Sequence, residues 1–280
     1  MSNSSMHLKK DSVTAIAIGG FDGVHLGHQQ LIARLGEHGA LLVIDKDEAN
    51  LTPGTKRSQY AKYPCMFYHF LKVKDLSGEE FIALLKKEFP NLRKIVVGYD
   101  FCFGAKRAHR ANDLPLLFDG EVEIVKEFLF EGISVHSSTI RTQLREGNIA
   151  LANRLLGREY GIVGTVIAGQ GLGKKVLYPT LNLHVKHYLL PKEGVYATRT
   201  LVEGRLVDSV SFVGVRTSTD GKFAIETHLL EAPEAESVYH VELFFVAYLR
   251  ENQTFSDLKL LKKQIEKDII QAREALHVKG

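Results

Sequence analysis

Val13-Thr14-Ala15-Ile16-Ala17-Ile18-Gly19-Gly20-Phe21-Asp22-Gly23-Val24-His25-Leu26-Gly27-His28 decides the fold of the N-terminal half. Its first six residues are uncharged and mostly apolar, and Gly19-Gly20 follows at once, which reads as a buried strand ending in a tight turn. A helix is expected from about His28 to Glu37. Further along, a strand is expected over Ala40 to Ile44 and a helix over Gly78 to Phe89, with Phe81, Leu84 and Leu85 on one face. Lys94 to Val97 reads as a third strand. Strands alternating with helices argue for a parallel α/β sheet. Asn50 to Tyr63 shows no clear period and contains Pro53-Gly54, so it is expected to be a loop.

Beyond residue 140 the texture changes. Ile140, Leu144, Ile149, Ala152, Leu155 and Leu156 form a helical stripe, interrupted near Gly147 and stopped at Gly157. Short apolar runs then follow at 161–167, 194–201, 205–213, 223–230 and 239–249, separated by Gly, Pro or charged residues, as in a small antiparallel barrel or sandwich. Leu258, Leu261, Ile265, Ile269, Ala272 and Leu276 close the chain as an amphipathic helix, with Ser256 as its expected cap. A length of 280 residues exceeds one ordinary core, and the change of texture divides it into domains 1–157 and 158–280.

Composition narrows the function. With 45% hydrophobic and 25% charged residues the chain sits at the globular average. A net charge of +3 without a run of five or more like charges disfavours nucleic acid and suits small anionic ligands. No apolar stretch approaches the length of a bilayer span, and Met1 to Asp11 lacks an apolar leader core, so a cytoplasmic protein is expected. Cys65 and Cys102 give neither paired bridges nor zinc spacing and read as free thiols of a reducing compartment.

Two constellations carry chemistry. In the first, the glycines at 19, 20, 23 and 27 let backbone approach a ligand at the carboxyl end of a strand, and the following helix start offers N–H groups to phosphate. His25 and His28 add donors for a triphosphate, which suits phosphoryl or nucleotidyl transfer. A plain turn, or half of a metal site, are the competing readings, but neither explains the whole block. Ser137, Ser138 and Thr139 read either as a helix cap or, with Arg141, as an anion site; the two are compatible.

In the second, Pro179 opens an extended segment in which Thr180 and Asn182 point to one face. A hydroxyl and an amide oxygen suit a Mg²⁺ that keeps several waters, although a solvent-facing polar pair has the same pattern. Gly169, Gly171, Gly173, Lys174 and Lys175 form either a basic loop over phosphates or a hairpin turn with solvated lysines. Glu226 lies on the strand face opposite Ile225 and Thr227, as a general base or as an exposed strand carboxylate.

Together these motifs resemble the prokaryotic bifunctional riboflavin kinase/FMN adenylyltransferase (FAD synthetase) family. Gly20 to Gln29 resembles its H-x-G-H nucleotidyltransferase signature, Val97 to Gly104 its G-x-[DN]-F-x-F-G segment, and Val135 to Arg141 its I-S-S-T-x-I-R motif. Pro179 to Asn182 matches P-T-x-N, Gly194 to Ala197 the G-V-Y-A turn, and Ile225 to His228 the I-E-x-H strand; the resemblance runs from about residue 14 to 275, leaving 45–75 unmatched. It implies a Rossmann-like nucleotidyltransferase domain followed by a six-stranded flavokinase-type β-barrel ending in an α-helix. It also implies that riboflavin is phosphorylated to FMN by the C-terminal domain, and that FMN is adenylylated to FAD by the N-terminal one.

ATP would then be held by Gly20, Phe21, Asp22, Gly23, His25, Gly27, His28, Ser137, Ser138 and Arg141 in one site. In the other it would be held by Gly171, Gly173, Lys174, Thr180 and Asn182. Asp100 and Phe101 would lie at the flavin of the first site, and Thr180 and Asn182 would hold Mg²⁺ with ATP. Glu226 would deprotonate the ribityl 5′-hydroxyl. Riboflavin, FMN and ATP are the implied partners, without nucleic acid or membrane, for a monomer or weak oligomer. The chain departs from the pattern at Val43 to Glu48, where the family has T-F-x-P-H-P. It departs again at His136, at Leu177-Tyr178, and at Gly214 to Thr219, where the family has G-x-x-P-T-F. The altered 43–48 loop motivates one alternative, a kinase with a weakened adenylyltransferase half; a non-catalytic flavin binder and a nucleotidyltransferase acting on another phosphate-bearing substrate are the other two.

Overall fold

The computed structural model describes residues 9–169, 177–231 and 238–277. It divides into two compact units, Met1–Ser137 and Ser138–Gly280.

The first unit is built on five parallel strands in the order β3-β2-β1-β4-β7. They are β1 (Ala15–Gly19), β2 (Gly39–Asp45), β3 (Cys65–His69), β4 (Lys94–Gly98) and β7 (Glu121–Val125). β5 (Cys102–Phe103) pairs with β6 (His109–Arg110), and β8 (Leu129–Phe130) with β9 (Ile133–Ser134). Central strand β1 is covered on both faces: Ile16 and Ile18 enter a cluster with Phe81, Ile82 and Leu85 of α3 (Gly78–Glu88). Ala15 and Ala17 join Leu31 and Ile32 of α1 (Leu26–Ile32) on the other side. Alternate residues of a strand face opposite sides, so a strand buried twice reads as one apolar run.

Helix α1 starts before His28 because the His25 ring accepts the His28 amide at 3.3 Å and caps it there, and it ends at Ile32, short of the expected Glu37. The expected loop from Asn50 to Tyr63 contains α2 (Lys56–Ala61). Short α4 (Leu114–Leu117) follows α3.

The second unit opens with α5 (Ser137–Glu146) and α6 (Ile149–Leu156). A closed antiparallel barrel follows, in the order β10-β11-β14-β13-β12-β15. Its strands are β10 (Tyr160–Ile167), β11 (Leu181–Val185), β12 (Gly194–Val202), β13 (Arg205–Val215), β14 (Phe223–Leu229) and β15 (His240–Arg250). Closure leaves no unpaired edge along the ring. Within it, Thr200, Ser209, Thr198, Ser211 and Thr227 form one chain of hydroxyl hydrogen bonds, all buried. Each hydroxyl can both donate and accept, so the chain satisfies itself away from water.

Helix α7 (Leu258–His277) lies on the outer wall, where Ala272 and Leu276 pack with Val195, Ala197 and Val210. Asp257 caps it rather than Ser256, its carboxylate accepting the amides of Lys259 and Leu260 at 2.8 and 2.9 Å. The compact division at 137/138 precedes the boundary at 157/158 read from the sequence, because α6 packs on the barrel. Asn153 donates to the Phe245 carbonyl and accepts the Tyr160 amide, each at 2.8 Å. No helix among the described residues is long and apolar enough to cross a membrane.

Candidate active sites

In a parallel sheet the turns after the strands share one edge, and ligands bind there. That edge carries Gly20 to His28 after β1, Asp45 onward after β2, and Tyr99 to Phe101 after β4. The turn is tightly determined. Phe21 and Val24 take φ of 51° and 41° while almost fully buried, and a β-branched residue in that region is an outlier held in place by its surroundings. Gly23 has φ 89°, and a Cβ on Gly27 would sit 3.0 Å from the Val135 carbonyl. Both positions therefore need glycine.

Asp22 is spent on this architecture. Its carboxylate accepts the amides of Asn50, Leu51 and Thr52 at 3.2, 3.0 and 2.8 Å, and the Gly23 amide donates to the Thr52 hydroxyl at 2.7 Å. Buried Arg57 donates to the Gly20 carbonyl at 3.1 Å and pairs with Asp45. The Ser137 hydroxyl donates to the Asp22 carbonyl at 2.7 Å. The His25 and His28 rings stack at 3.6 Å. Since His25 Nδ1 accepts an amide proton, the neutral ring carries its own proton on Nε2, the form that can donate to a phosphate oxygen.

The second site is a cavity of about 520 Å³ between the outer barrel wall and α7. Thr180, Asn182 and Glu226 line it together with Phe212, Leu261 and Ile265. Asn182 and Glu226 are direct partners across β11 and β14. Alternation along β14 buries Ile225 and Thr227 and turns Glu226 to the cavity. Thr180 and Asn182 make no side-chain hydrogen bond among the described residues, so both oxygens are available to a ligand. Glu226 is held on one oxygen by Arg216, at 3.0 Å. At the rim, His228 bonds the Pro179 carbonyl at 2.8 Å and meets Tyr178 edge-on. Desolvation and the Glu266 carboxylate keep the Tyr178 phenol above its ordinary range. It is a neutral donor at pH 7.

Gly20 to His28 and Ser137 come together in the first unit, and Thr180, Asn182 and Glu226 in the second. Asp100 lies exposed in the turn after β4, while Phe101 packs against the core and stacks on Phe103 at 5.8 Å. Ser138 is the second residue of α5 and Arg141 its fifth, one turn further on. Gly171, Gly173 and Lys174 lie outside the described residues. Sequence reasoning missed Thr52, Arg57 and Arg216, which reach Gly23, Gly20 and Glu226 at separations of 29, 37 and 10 residues in the chain. It also missed the tie of Arg250 to Asp268, a bidentate pair at 2.8 and 2.7 Å that pins α7 to β15. Only Arg216 carried a local signal, standing in a segment that departs from the P-T-F pattern.

Comparison with known proteins finds one family for each part of the chain. Residues 156–276 match the riboflavin kinase family and residues 7–44 the FAD synthetase family. The bifunctional riboflavin kinase/FMN adenylyltransferase of Pseudomonas fluorescens is 32% identical, over 91% of this chain and 91% of that protein. Its Escherichia coli K12 counterpart is 30% identical, over 92% and 91%. A solved Streptococcus pneumoniae chain described as a macrolide-efflux protein superposes with a TM-score of 0.84, 24% identity and coverage of 93% and 94%, which speaks to fold alone. With such identity along nearly its full length, and with both family domains in order, this chain belongs to the bifunctional riboflavin kinase/FMN adenylyltransferase family.

Proposed function

We propose that the barrel unit transfers the γ-phosphoryl group of ATP to the ribityl 5′-hydroxyl of riboflavin, and that the sheet unit adenylylates the resulting FMN to FAD. The observation that carries this is the convergence of Thr180, Asn182 and Glu226 on one cavity large enough for a flavin. Phe212, Leu261 and Ile265 supply apolar surface for the ring system. Glu226 takes the 5′-hydroxyl proton as that oxygen bonds to the γ-phosphorus and the bond to ADP breaks.

Thr180 and Asn182 offer hard neutral oxygens and no negative charge, a donor set that fits Mg²⁺ held mainly by water and phosphate. When bound, that ion would neutralise charge on the transferring phosphate. In the sheet unit, an FMN phosphate oxygen attacks the α-phosphorus of ATP and pyrophosphate leaves. His25 and His28 stabilise the charge, and the tight turn holds them in place. The ties from Asp22 and Arg57 keep the 45–57 segment ordered although its sequence departs from the family pattern, which favours two active steps over a decayed adenylyltransferase. Asp100 and Phe101 complete the FMN contacts in this reading. The reactions belong in the cytoplasm, with the protein a monomer or weak oligomer.

The test is chromatography of riboflavin incubated with ATP and Mg²⁺. Wild-type protein yields FMN and then FAD. His28→Ala keeps FMN and loses FAD. Glu226→Gln forms FMN from riboflavin on the order of 10²- to 10⁴-fold more slowly, yet still converts supplied FMN to FAD. Flavin binding with neither product at saturating substrate would sink the proposal.

A further inference from the structure

Arg216 stands where β13 leaves the barrel, in the segment that departs from P-T-F. Its Nη1 donates to Glu226 Oε1 at 3.0 Å and its Nη2 to Asp220 Oδ2 at 2.8 Å. Arg216 is 14% exposed at the side chain, lines the same cavity as Glu226, and keeps its Nε buried without a hydrogen-bond partner among the described residues. The second Glu226 oxygen has no partner among the described residues. A guanidinium fixed at one end by Asp220 can therefore hold one carboxylate oxygen and leave the other for a substrate proton.

The backbone carrying Arg216 is fixed too. Its amide donates to the Lys222 carbonyl at 2.9 Å, and its carbonyl accepts from Thr219 and Gly221 at 3.1 Å. In place of the proline of the family pattern, side chains latch the hairpin to the segment after β15. Thr254 donates to the Thr217 hydroxyl at 2.9 Å, the Phe255 amide to the Ser218 hydroxyl at 2.9 Å, and Asn252 to the Val215 carbonyl at 2.7 Å.

We infer that Arg216 is a positioning residue of the phosphorylation step: aimed by Asp220 and the latched hairpin, it orients the Glu226 carboxylate so that its second oxygen meets the flavin hydroxyl. The inference rests on the kinase reading of the barrel. It differs from a role in binding, because the pair it makes is with the base and not with a phosphate contact.

Arg216→Met, Arg216→Lys, Asp220→Asn and Glu226→Gln are compared by steady-state FMN formation and by quenching of riboflavin fluorescence. FAD formation from supplied FMN checks that the chain is otherwise intact. Arg216→Met is expected to lower kcat by about ten- to a hundredfold, the range of a small misplacement of a reacting group. KM for riboflavin and flavin affinity stay within about twofold, since ground-state binding is untouched. Arg216→Lys recovers part of the lost rate, because it restores the charge but not the fork. Asp220→Asn shows a smaller loss in the same direction.

An unchanged kcat in Arg216→Met while Glu226→Gln is inactive overturns the inference and leaves the kinase reading standing. A raised KM for ATP at unchanged kcat overturns it equally, by making Arg216 a phosphate contact. Wild-type protein that binds riboflavin and never phosphorylates it removes both.

Discussion

The carboxylate of Asp22 faces the chain and not the solvent, and this separates two meanings of a binding residue. It is 8% exposed and gathers the amides of residues 50 to 52, so it shapes the turn after β1, and in the proposed reading it serves ATP through that shape and not through a carboxylate contact. Asp22→Ala leaves those amides buried and unpaired at about 1–3 kcal/mol each. FAD formation should fall at least about tenfold, in line with misplaced catalytic groups, while FMN formation in the barrel is retained; product chromatography reads both. Cys65 gives a second prediction. Burial pushes its thiol up to about 11 against the opposing pull of Arg57, so little thiolate exists at neutral pH. Iodoacetamide at pH 7.5 should label Cys102 first, and labelling of Cys65 should accelerate as the pH rises toward 11, measured by peptide mass spectrometry. His25, His28, Thr180, Asn182 and Glu226 were legible in the sequence because each sits in a local motif. Thr52, Arg57 and Arg216 were not, since each acts through a contact to Gly23, Gly20 or Glu226 that no local motif displays.

Elements were legible where one physical pattern dominated. β1 and β4 are apolar over consecutive residues because both faces are covered, and α3 shows its stripe together with a Ser77 to Glu80 capping box. β3 has only half-buried residues and one exposed phenylalanine at the sheet edge, and α2 spans too few residues to display a period. In the barrel, Thr198, Thr200, Ser209, Ser211 and Thr227 point inward, so strands whose inner face is partly polar read ambiguously. Helix α7 shows what a long-range tie adds to an evident stripe. Asp268 is 4% exposed at its side chain and bonds both Arg250 and Gln264. Asp268→Ala strands the Arg250 charge, and breaking such a buried pair costs about 3–5 kcal/mol. The barrel should melt earlier by calorimetry, and riboflavin affinity should fall because α7 forms one cavity wall. Asp268→Asn, which keeps hydrogen-bonding capacity, should lose less.

At the scale of the whole chain, the question is where one folding unit stops and the next begins. The texture change near Gly157 suggested a cut between the helical stripe and the barrel, and the riboflavin kinase family match likewise begins at residue 156. Compactness draws the line at 137/138, because α6 is half of an interface. Ile149, Leu155 and Leu156 are buried to 1% exposure or less, and Asn153 ties β10 to β15 through its two hydrogen bonds. The Lys192 amide also donates to the Leu144 carbonyl at 2.9 Å. Burying one such aliphatic side chain contributes about 1.5–3 kcal/mol, so a piece starting at 158 forfeits on the order of 5 kcal/mol, comparable with the entire stability of a small domain. Residues 138–280 produced alone should therefore melt cooperatively in circular dichroism and convert riboflavin to FMN without FAD. Residues 158–280 should be largely unfolded at the same temperature, or should recover only when flavin and ATP are supplied in excess and binding shifts the equilibrium. Equal melting temperatures for the two pieces would show that α6 is an accessory to the barrel, and the functional unit would then coincide with the boundary that the sequence texture marks.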